Sequence, residues 1–134
     1  MQRSRYDEYL RLFNARHYDG LLAFFADEFE VVFAGYALRS RAEVKQFYSF
    51  LHEYVDERID ITRYVSDGLT IAMEADVVLT GKKTLTPEIL KARGLERIVG
   101  LQQGQTVTIP QFIHYHLHEG KFTRALCAVY EAPH

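Results

Sequence analysis

The hydrophobic pattern of this sequence changes its period along the chain, and that change limits the folds open to it. Over the first 55 residues or so, apolar residues recur mostly every three or four positions, as they do along one face of a helix. From Ile59 onward they mostly alternate with polar residues, as in strands that bury one face. Helices followed by long strands predict an α+β fold in which the helices cover one face of a sheet.

Three helices are predicted in the first part of the chain. The first spans about residues 4–15, and its apolar stripe consists of Tyr6, Tyr9, Leu10 and Phe13. Asp19 is expected to cap a second, shorter helix, which is followed by the alternating stretch FEVVF, a predicted strand. Ser40 and Glu43 form a capping box that opens the third helix.

Four strands are predicted in the second part, because branched and aromatic residues dominate there. They cover residues 59–66, 69–80, 106–118 and 122–131. A segment at 82–105 separates the middle two, and we expect a short extra helix in it, with Thr86 as the cap and Pro87 in the first turn.

Length and composition indicate one ordinary globular domain, residues 1–134. Hydrophobic residues make up 48% of the chain and charged residues 25%, which is far from the composition of disordered proteins. A net charge of -2 disfavours binding to nucleic acids or membrane surfaces. No apolar run is long enough to span a membrane, and Cys127 is the only cysteine. We therefore expect a cytoplasmic protein whose fold depends on packing and not on disulfides.

Histidines occupy every second position of the stretch HYHLH, at 114, 116 and 118. Alternate side chains of a strand share one face, so these three could ligate a metal together. The other phase of the same strand, however, is the apolar one: Val107, Ile109, Gln111, Ile113, Tyr115 and Leu117. We therefore expect the histidines to point away from the core, toward solvent or a partner subunit, and we predict no metal site.

Three stretches resemble a known superfamily: YLRLFNARHYDGLLAFFADEFEV, SRAEVKQFY and FIHYHLHEGKFTRA. The chain is similar to the nuclear-transport-factor-two-like proteins, and within them to the SnoaL-like polyketide cyclases and ketosteroid isomerases. The resemblance covers nearly the whole chain except the 82–105 segment. It implies an α+β cone, in which three N-terminal helices pack on the concave face of a strongly curved mixed or antiparallel sheet. It also implies an apolar cavity for a small molecule and frequent homodimers.

The catalytic residues of those relatives are matched only in part. Tyr9 matches the position of the hydrogen-bonding tyrosine that ketosteroid isomerases carry on their first helix. The position of their carboxylate base falls at about Val31 or Phe33, and their second acidic residue falls near Ile113. An isomerase of that mechanism is therefore not expected.

The acid and base of the SnoaL-like cyclases are also unmatched. Their histidine and aspartate in the last strand correspond to Ala125 and Cys127 here. Cys127 is expected to be a small core residue, since no histidine lies on its phase to activate it.

Arg63 interrupts an apolar strand phase that includes Ile59, Ile61 and Val65. A three-residue loop at 66–68 would set Ile59 opposite Ala75 and would turn Arg63 inward. A guanidinium there needs a polar partner, so Arg63 either covers the cavity rim and reaches water or binds an acidic group of a ligand.

Three kinds of function remain open. The first is an enzyme of the cyclase, dehydratase or isomerase kind, which transfers protons on an apolar ligand with an acidic or carbonyl group and uses no cofactor. The second is a non-catalytic binding module, and the third is a dimeric interaction domain that uses the open face of the sheet. We expect a homodimer in each case, because Val78, Pro110 and Phe112 on the outer phases leave that face partly apolar. Catalytic candidates are Tyr9, Arg63 and Tyr115. The expected ligand-binding residues are Tyr9, Phe13, Phe33, Phe47, Arg63, Met73, Gln111, Tyr115 and Cys127.

Overall fold

A computed structural model describes all residues, 1–134, and has the predicted α+β architecture. Its helices are α1 (Arg3–Asn14), α2 (Tyr18–Leu22), α3 (Arg41–Tyr54) and α4 (Pro87–Ala92). Its strands are β1 (Phe25–Phe33), β2 (Tyr36–Leu38), β3 (Val55–Ser66), β4 (Thr70–Gly81), β5 (Thr106–His118) and β6 (Lys121–Val129). None of the helices is both long and apolar enough to cross a membrane.

The strands form one mixed sheet of six, in the order β2-β1-β6-β5-β4-β3. Only β1 and β6 run parallel, and every other neighbouring pair is antiparallel. Register shifts interrupt the pairs β1–β6, β3–β4 and β5–β6. An extra residue in one strand bends it and increases its twist, so these shifts help to curve the sheet.

The three N-terminal helices cover the concave face, as expected for a cone-shaped fold. In α1 the residues Tyr6, Tyr9 and Phe13 are all buried, which places its apolar stripe on the sheet. In α3 the ring of Phe47 lies 4.8 Å from that of Phe33 on β1. One continuous hydrophobic core therefore joins helices and strands.

The predicted helix caps are confirmed for α3 and α4 but not for α2. Ser40 and Thr86 each accept a hydrogen bond from a backbone N–H three residues further on. In α2 the cap is His17, whose Nδ1 accepts a hydrogen bond from the N–H of Gly20. Asp19 lies inside the helix and pairs with Lys45 at 2.9 Å. The predicted cap was therefore two residues too late.

The predicted register of β3 and β4 is wrong. Ile59 pairs with Val77, two residues further along β4 than expected, and the register shifts between Ile61 and Arg63. The extra residue is Thr62, whose Oγ1 donates to the carbonyl of Glu74. Arg63 therefore pairs with Glu74 on the convex face, because the bulge separates it from the inward phase.

The connection between these strands also differs from the expected loop. It comprises residues 67–69, and the last pair before it is Ser66 with Ile71. The Asp67 carboxylate accepts hydrogen bonds from the N–H groups of Leu69 and Thr70. After the bulge, the residues of β3 that were expected to face the core face solvent, and those expected to face solvent face the core. Val65, expected inside, is 62% exposed, and Tyr64 packs against the core instead.

The 82–105 segment is packed and not a loose loop. The backbones of Leu85 and Leu101 are joined by two hydrogen bonds. Leu85 N–H donates to the Leu101 carbonyl at 2.7 Å, and Leu101 N–H donates to the Leu85 carbonyl at 3.1 Å. Both side chains are buried, as is that of Leu90 on α4. The segment thus forms a fixed platform beside the end of the sheet.

Candidate active site

A cavity of about 390 Å³ lies between the helices and the concave face of the sheet. Its wall comes from α1, α2, α3, every strand except β2, the β1–β2 turn, the 82–105 segment and the residues after β6. The lining side chains are predominantly apolar and aromatic. A volume of this size fits the range of sites that bind small molecules, about 300–1,000 Å³.

Most of the residues expected to bind a ligand do meet at this cavity. Those that line it are Tyr9, Phe13, Phe33, Phe47, Gln111, Tyr115 and Cys127. Met73 is buried at 3% exposure but lies in the core without lining the cavity. The Arg63 side chain is 78% exposed on the opposite face, 3.3 Å from Glu74, so the inward position expected for it was wrong.

Two tyrosines of the cavity wall, Tyr9 and Tyr115, form a cluster with Tyr6, which lies behind them in the core. The hydroxyls of Tyr6 and Tyr115 are hydrogen-bonded at 2.8 Å, and the ring of Tyr9 packs against both. Burial raises the pKa of all three phenols, because it disfavours the charged form. At neutral pH these groups are therefore neutral hydrogen-bond donors or acceptors and not phenolate bases.

The thiol of Cys127 is part of the same wall. Burial raises its pKa to about 12, with a smaller contribution from the negative charge of Glu57. A thiol with this pKa is almost entirely protonated at neutral pH and is a poor nucleophile. Its surroundings are those of a core residue.

Glu57 is a carboxylate in the cavity that the sequence analysis missed. It lies on β3, two residues before Ile59 and opposite Leu79, and thus on the inward phase. Its side chain is only 12% exposed. The strand was expected to begin at Ile59, whereas α3 leads directly into β3 at Val55. The sequence nevertheless indicates this position, because Val55, Glu57 and Ile59 occupy every second residue and therefore share one face of a strand.

His52 and Tyr18 support this carboxylate from behind. His52 lies on α3, is 6% exposed, and its Nε2 is 2.7 Å from Oε1 of Glu57. Its Nδ1 is 2.7 Å from the hydroxyl of Tyr18. A neutral imidazole that donates from Nε2 leaves Nδ1 to accept from Tyr18. The three side chains thus form a chain of hydrogen bonds that fixes the orientation of the Glu57 carboxylate.

Several polar groups of the cavity remain free for a ligand. Oε2 of Glu57, the hydroxyl of Tyr48 and the amide of Gln111 line the cavity and have no hydrogen-bond partner within the protein. Burial and the charge of Glu57 together raise the pKa of Tyr48. A carboxylate oxygen and two neutral donors in an apolar space can take up a proton and stabilise a developing oxyanion.

Arg97 is the second charged residue at the cavity, and it was also missed. It lies in the 82–105 segment, which supplied none of the expected ligand-binding residues. Its backbone N–H donates to the hydroxyl of Tyr36 at 3.0 Å, and its guanidinium lies over the Tyr36 ring. No spacing rule links residue 97 to β2, so this contact could not be predicted from the sequence.

The histidine row has the predicted orientation. His114 and His118 are exposed and His116 is half-buried, while Ile113 and Tyr115 between them face the core. The alternation of β5 is therefore confirmed. We keep the prediction that these side chains form no metal site.

The SnoaL-like domain model matches residues 6–125 of this chain. The match covers most of the sequence and agrees with the curved sheet, the helices on its concave face and the cavity between them. The chain therefore belongs to the SnoaL-like domain family, as the resemblance in its sequence implied. Among curated proteins, no sequence matches this chain significantly.

Solved structures share the fold at low sequence identity. A candidate polyketide cyclase from Pseudomonas putida is 22% identical, covers 91% of this chain and 86% of its own, and superposes with a TM-score of 0.69. A candidate polyketide cyclase from Xanthomonas campestris is also 22% identical, with coverages of 90% and 84% and a TM-score of 0.71. A candidate ketosteroid isomerase from Kribbella flavida is 18% identical, with coverages of 97% and 78% and a TM-score of 0.64.

Proposed function

We propose that this protein is a small-molecule enzyme that moves a proton on an apolar ligand with a carbonyl or acidic group. The reaction class is that of a cyclase, dehydratase or isomerase, without a cofactor. The observation that supports it best is the free Oε2 of Glu57 in an apolar cavity, with its other oxygen held by His52 at 2.7 Å. Names of similarly folded proteins, which include cyclases and an isomerase, agree with this class.

In the proposed reaction Glu57 acts as the general base. Its Oε2 takes a proton from the carbon next to the ligand carbonyl, and the resulting enolate oxygen accepts hydrogen bonds from Tyr48, Gln111 or Tyr9. The His52 N–H holds Oε1, so that Oε2 keeps one orientation through the proton transfer. Return of the proton to another atom of the ligand completes an isomerisation.

Isotope exchange tests this proposal without knowledge of the natural substrate. Ketones with aromatic or cyclic bodies are incubated with the protein in D2O, and loss of their α-protons is followed by NMR. We expect exchange above the buffer rate, and a loss of about 10²–10⁴-fold in Glu57→Gln, the range typical of a general base. Glu53→Gln is the matched control, because Glu53 is exposed on α3 and pairs only with Lys83.

The same experiment distinguishes the second candidate function, a non-catalytic binding module. The predominantly apolar wall of the cavity favours that candidate, since such a wall can bind a ligand without reacting with it. Saturable binding of the ketones without any exchange above buffer would contradict the enzyme and support the binding module.

The proposal includes a cytoplasmic homodimer. Phe112 on the convex face is 43% exposed and stacks on Tyr130, with ring centroids 4.3 Å apart. An exposed aromatic pair on the convex face favours a partner subunit. Light scattering at micromolar concentration should give twice the mass of the chain, and Phe112→Ser should shift it toward the monomer. A monomer mass for the unmodified protein would contradict the dimer.

A further inference from the structure

Arg97 and Glu57 are the only charged residues that line the cavity, and their positions in the fold differ. Glu57 belongs to β3, one edge strand of the sheet, whereas Arg97 contacts Tyr36 of β2, the other edge strand. A ligand in this cavity therefore meets one negative and one positive side chain, supplied from opposite edges of the sheet.

Arg97 lies at the mouth of the cavity. The exposed residues of its wall are Ala34, Arg97, Val99, Ala128, Val129 and Pro133. They belong to the β1–β2 turn, the 82–105 segment and the end of the chain from β6 onward, and apart from Arg97 all are apolar. The guanidinium is thus the one polar side chain of an otherwise apolar rim.

The guanidinium packs closely against the β1–β2 turn. Nη1 of Arg97 lies where any side chain at position 35 would place its Cβ. Residue 35 is a glycine, which has no Cβ, and its φ is +82°. The Tyr36 hydroxyl accepts from the Arg97 N–H, and the Tyr36 ring lies beneath the guanidinium at 5.8 Å. The platform under Arg97 is held by the Leu85–Leu101 bridge.

No carboxylate of the protein neutralises Arg97. It forms no salt bridge, although Glu96 precedes it in the sequence, and its five N–H groups have no hydrogen-bond partner in the chain. A guanidinium that lies over an aromatic ring and is left unpaired is well suited to bind a carboxylate or another planar anion through two parallel hydrogen bonds.

We infer that the ligand of this protein is an amphiphilic anion, whose apolar body fills the cavity and whose carboxylate or other ionised acidic group pairs with Arg97 at the mouth. The inference rests on the proposed function in that it concerns the same cavity, and it narrows the substrate class to an apolar carbonyl compound that carries a negative group. Arg97 is a specificity-determining residue in this scheme and takes no part in proton transfer.

Binding measurements test the inference independently of catalysis. Aryl-alkanoic acids of increasing chain length and their primary amides are titrated by calorimetry, which compares ligands of equal size with and without charge. The unmodified protein should bind at least one acid about tenfold more tightly than its amide, as one charge-assisted hydrogen bond allows. Arg97→Gln should bind the two forms about equally, and Arg97→Lys should keep part of the preference.

Arg93→Gln is the matched control, since Arg93 lies in the same segment but packs over the Phe50 ring, outside the cavity wall. It should keep the full preference for the acid. Equal binding of acid and amide by the unmodified protein, a preference that survives Arg97→Gln, or no binding of any acid would each overturn the inference. The Glu57-dependent exchange of ketones has a separate readout, so a failure here leaves that test unaffected.

Discussion

At the scale of single residues, some of the residues that line the cavity were predicted from the sequence and others were not. Tyr9, Gln111 and Tyr115 were expected because they occupy inward positions of recognisable elements, and all three line the cavity. Glu57 was overlooked although it also occupies an inward position. Because α3 leads into β3 without a connecting loop, the predicted strand began too late to include it. The alternation of inward and outward side chains therefore holds from the first residue of the strand and includes charged residues.

The hydrogen bond between Tyr6 and Tyr115 gives a prediction at this scale. Tyr6 is fully buried, and the Tyr115 hydroxyl is its partner at 2.8 Å. Tyr115→Phe should lower the free energy of unfolding by about 1–3 kcal/mol, since it leaves a buried hydroxyl without a partner. Urea unfolding followed by circular dichroism measures the change.

The double variant Tyr6→Phe with Tyr115→Phe is the control for that experiment. It removes both hydroxyls, so it should recover most of the lost stability. A double variant that is less stable than Tyr115→Phe alone would show that the hydroxyls matter for a reason other than their mutual hydrogen bond.

At the scale of elements, local signals predicted the helices, and capping signals predicted the starts of two of them, α3 and α4. Ser40 and Thr86 begin α3 and α4 as expected, because a side chain that caps a helix acts within three residues of sequence. The bulge at Thr62 was not predictable in this way. Its position depends on how β3 and β4 align over their full length, and a one-residue shift exchanges the two faces of a strand.

The cap of α3 gives a prediction for this scale. Ser40→Ala removes the side chain that accepts from the Glu43 N–H, and it should cost about 0.5–2 kcal/mol of unfolding free energy. Thermal unfolding of the variant should therefore have a lower midpoint. Ser49→Ala, an exposed position in the same helix, should change little, and equal effects of the two substitutions would contradict the role of the cap.

At the scale of the whole molecule, helices, sheet and the 82–105 segment share one hydrophobic core. We propose on this basis that residues 1–134 form one domain that unfolds in a single transition. The order and periodicity of the elements predicted an α+β fold with helices on one face of the sheet, and the resemblance to the SnoaL-like proteins implied the cone and its cavity. The contact of Arg97 with the β1–β2 turn could not be predicted, since it depends on how distant segments pack.

Alkaline pH should unfold the whole molecule through its buried phenols. Tyr6, Tyr9, Tyr48 and Tyr115 have pKa values raised by burial above the usual 10.0. A raised pKa in the folded state means that the stability contributed is fully present below pH 10 and is lost as the pH rises above it. Absorbance at 295 nm should show these four of nine tyrosines ionising only together with the loss of circular dichroism. Ionisation of all nine near pH 10 in folded protein would contradict the buried cluster.

A crystal structure with a bound ketone tests the central claim, that Glu57 faces the reacting carbon of a ligand, most directly. The ketone is one whose α-protons the protein exchanges. The account predicts density inside the cavity, with the α-carbon within about 3.5 Å of Glu57 Oε2 and the carbonyl oxygen within hydrogen-bond distance of Tyr9, Tyr48 or Gln111. A ligand bound outside the cavity, or one whose carbonyl and α-carbon both face the apolar wall away from Glu57, would contradict it.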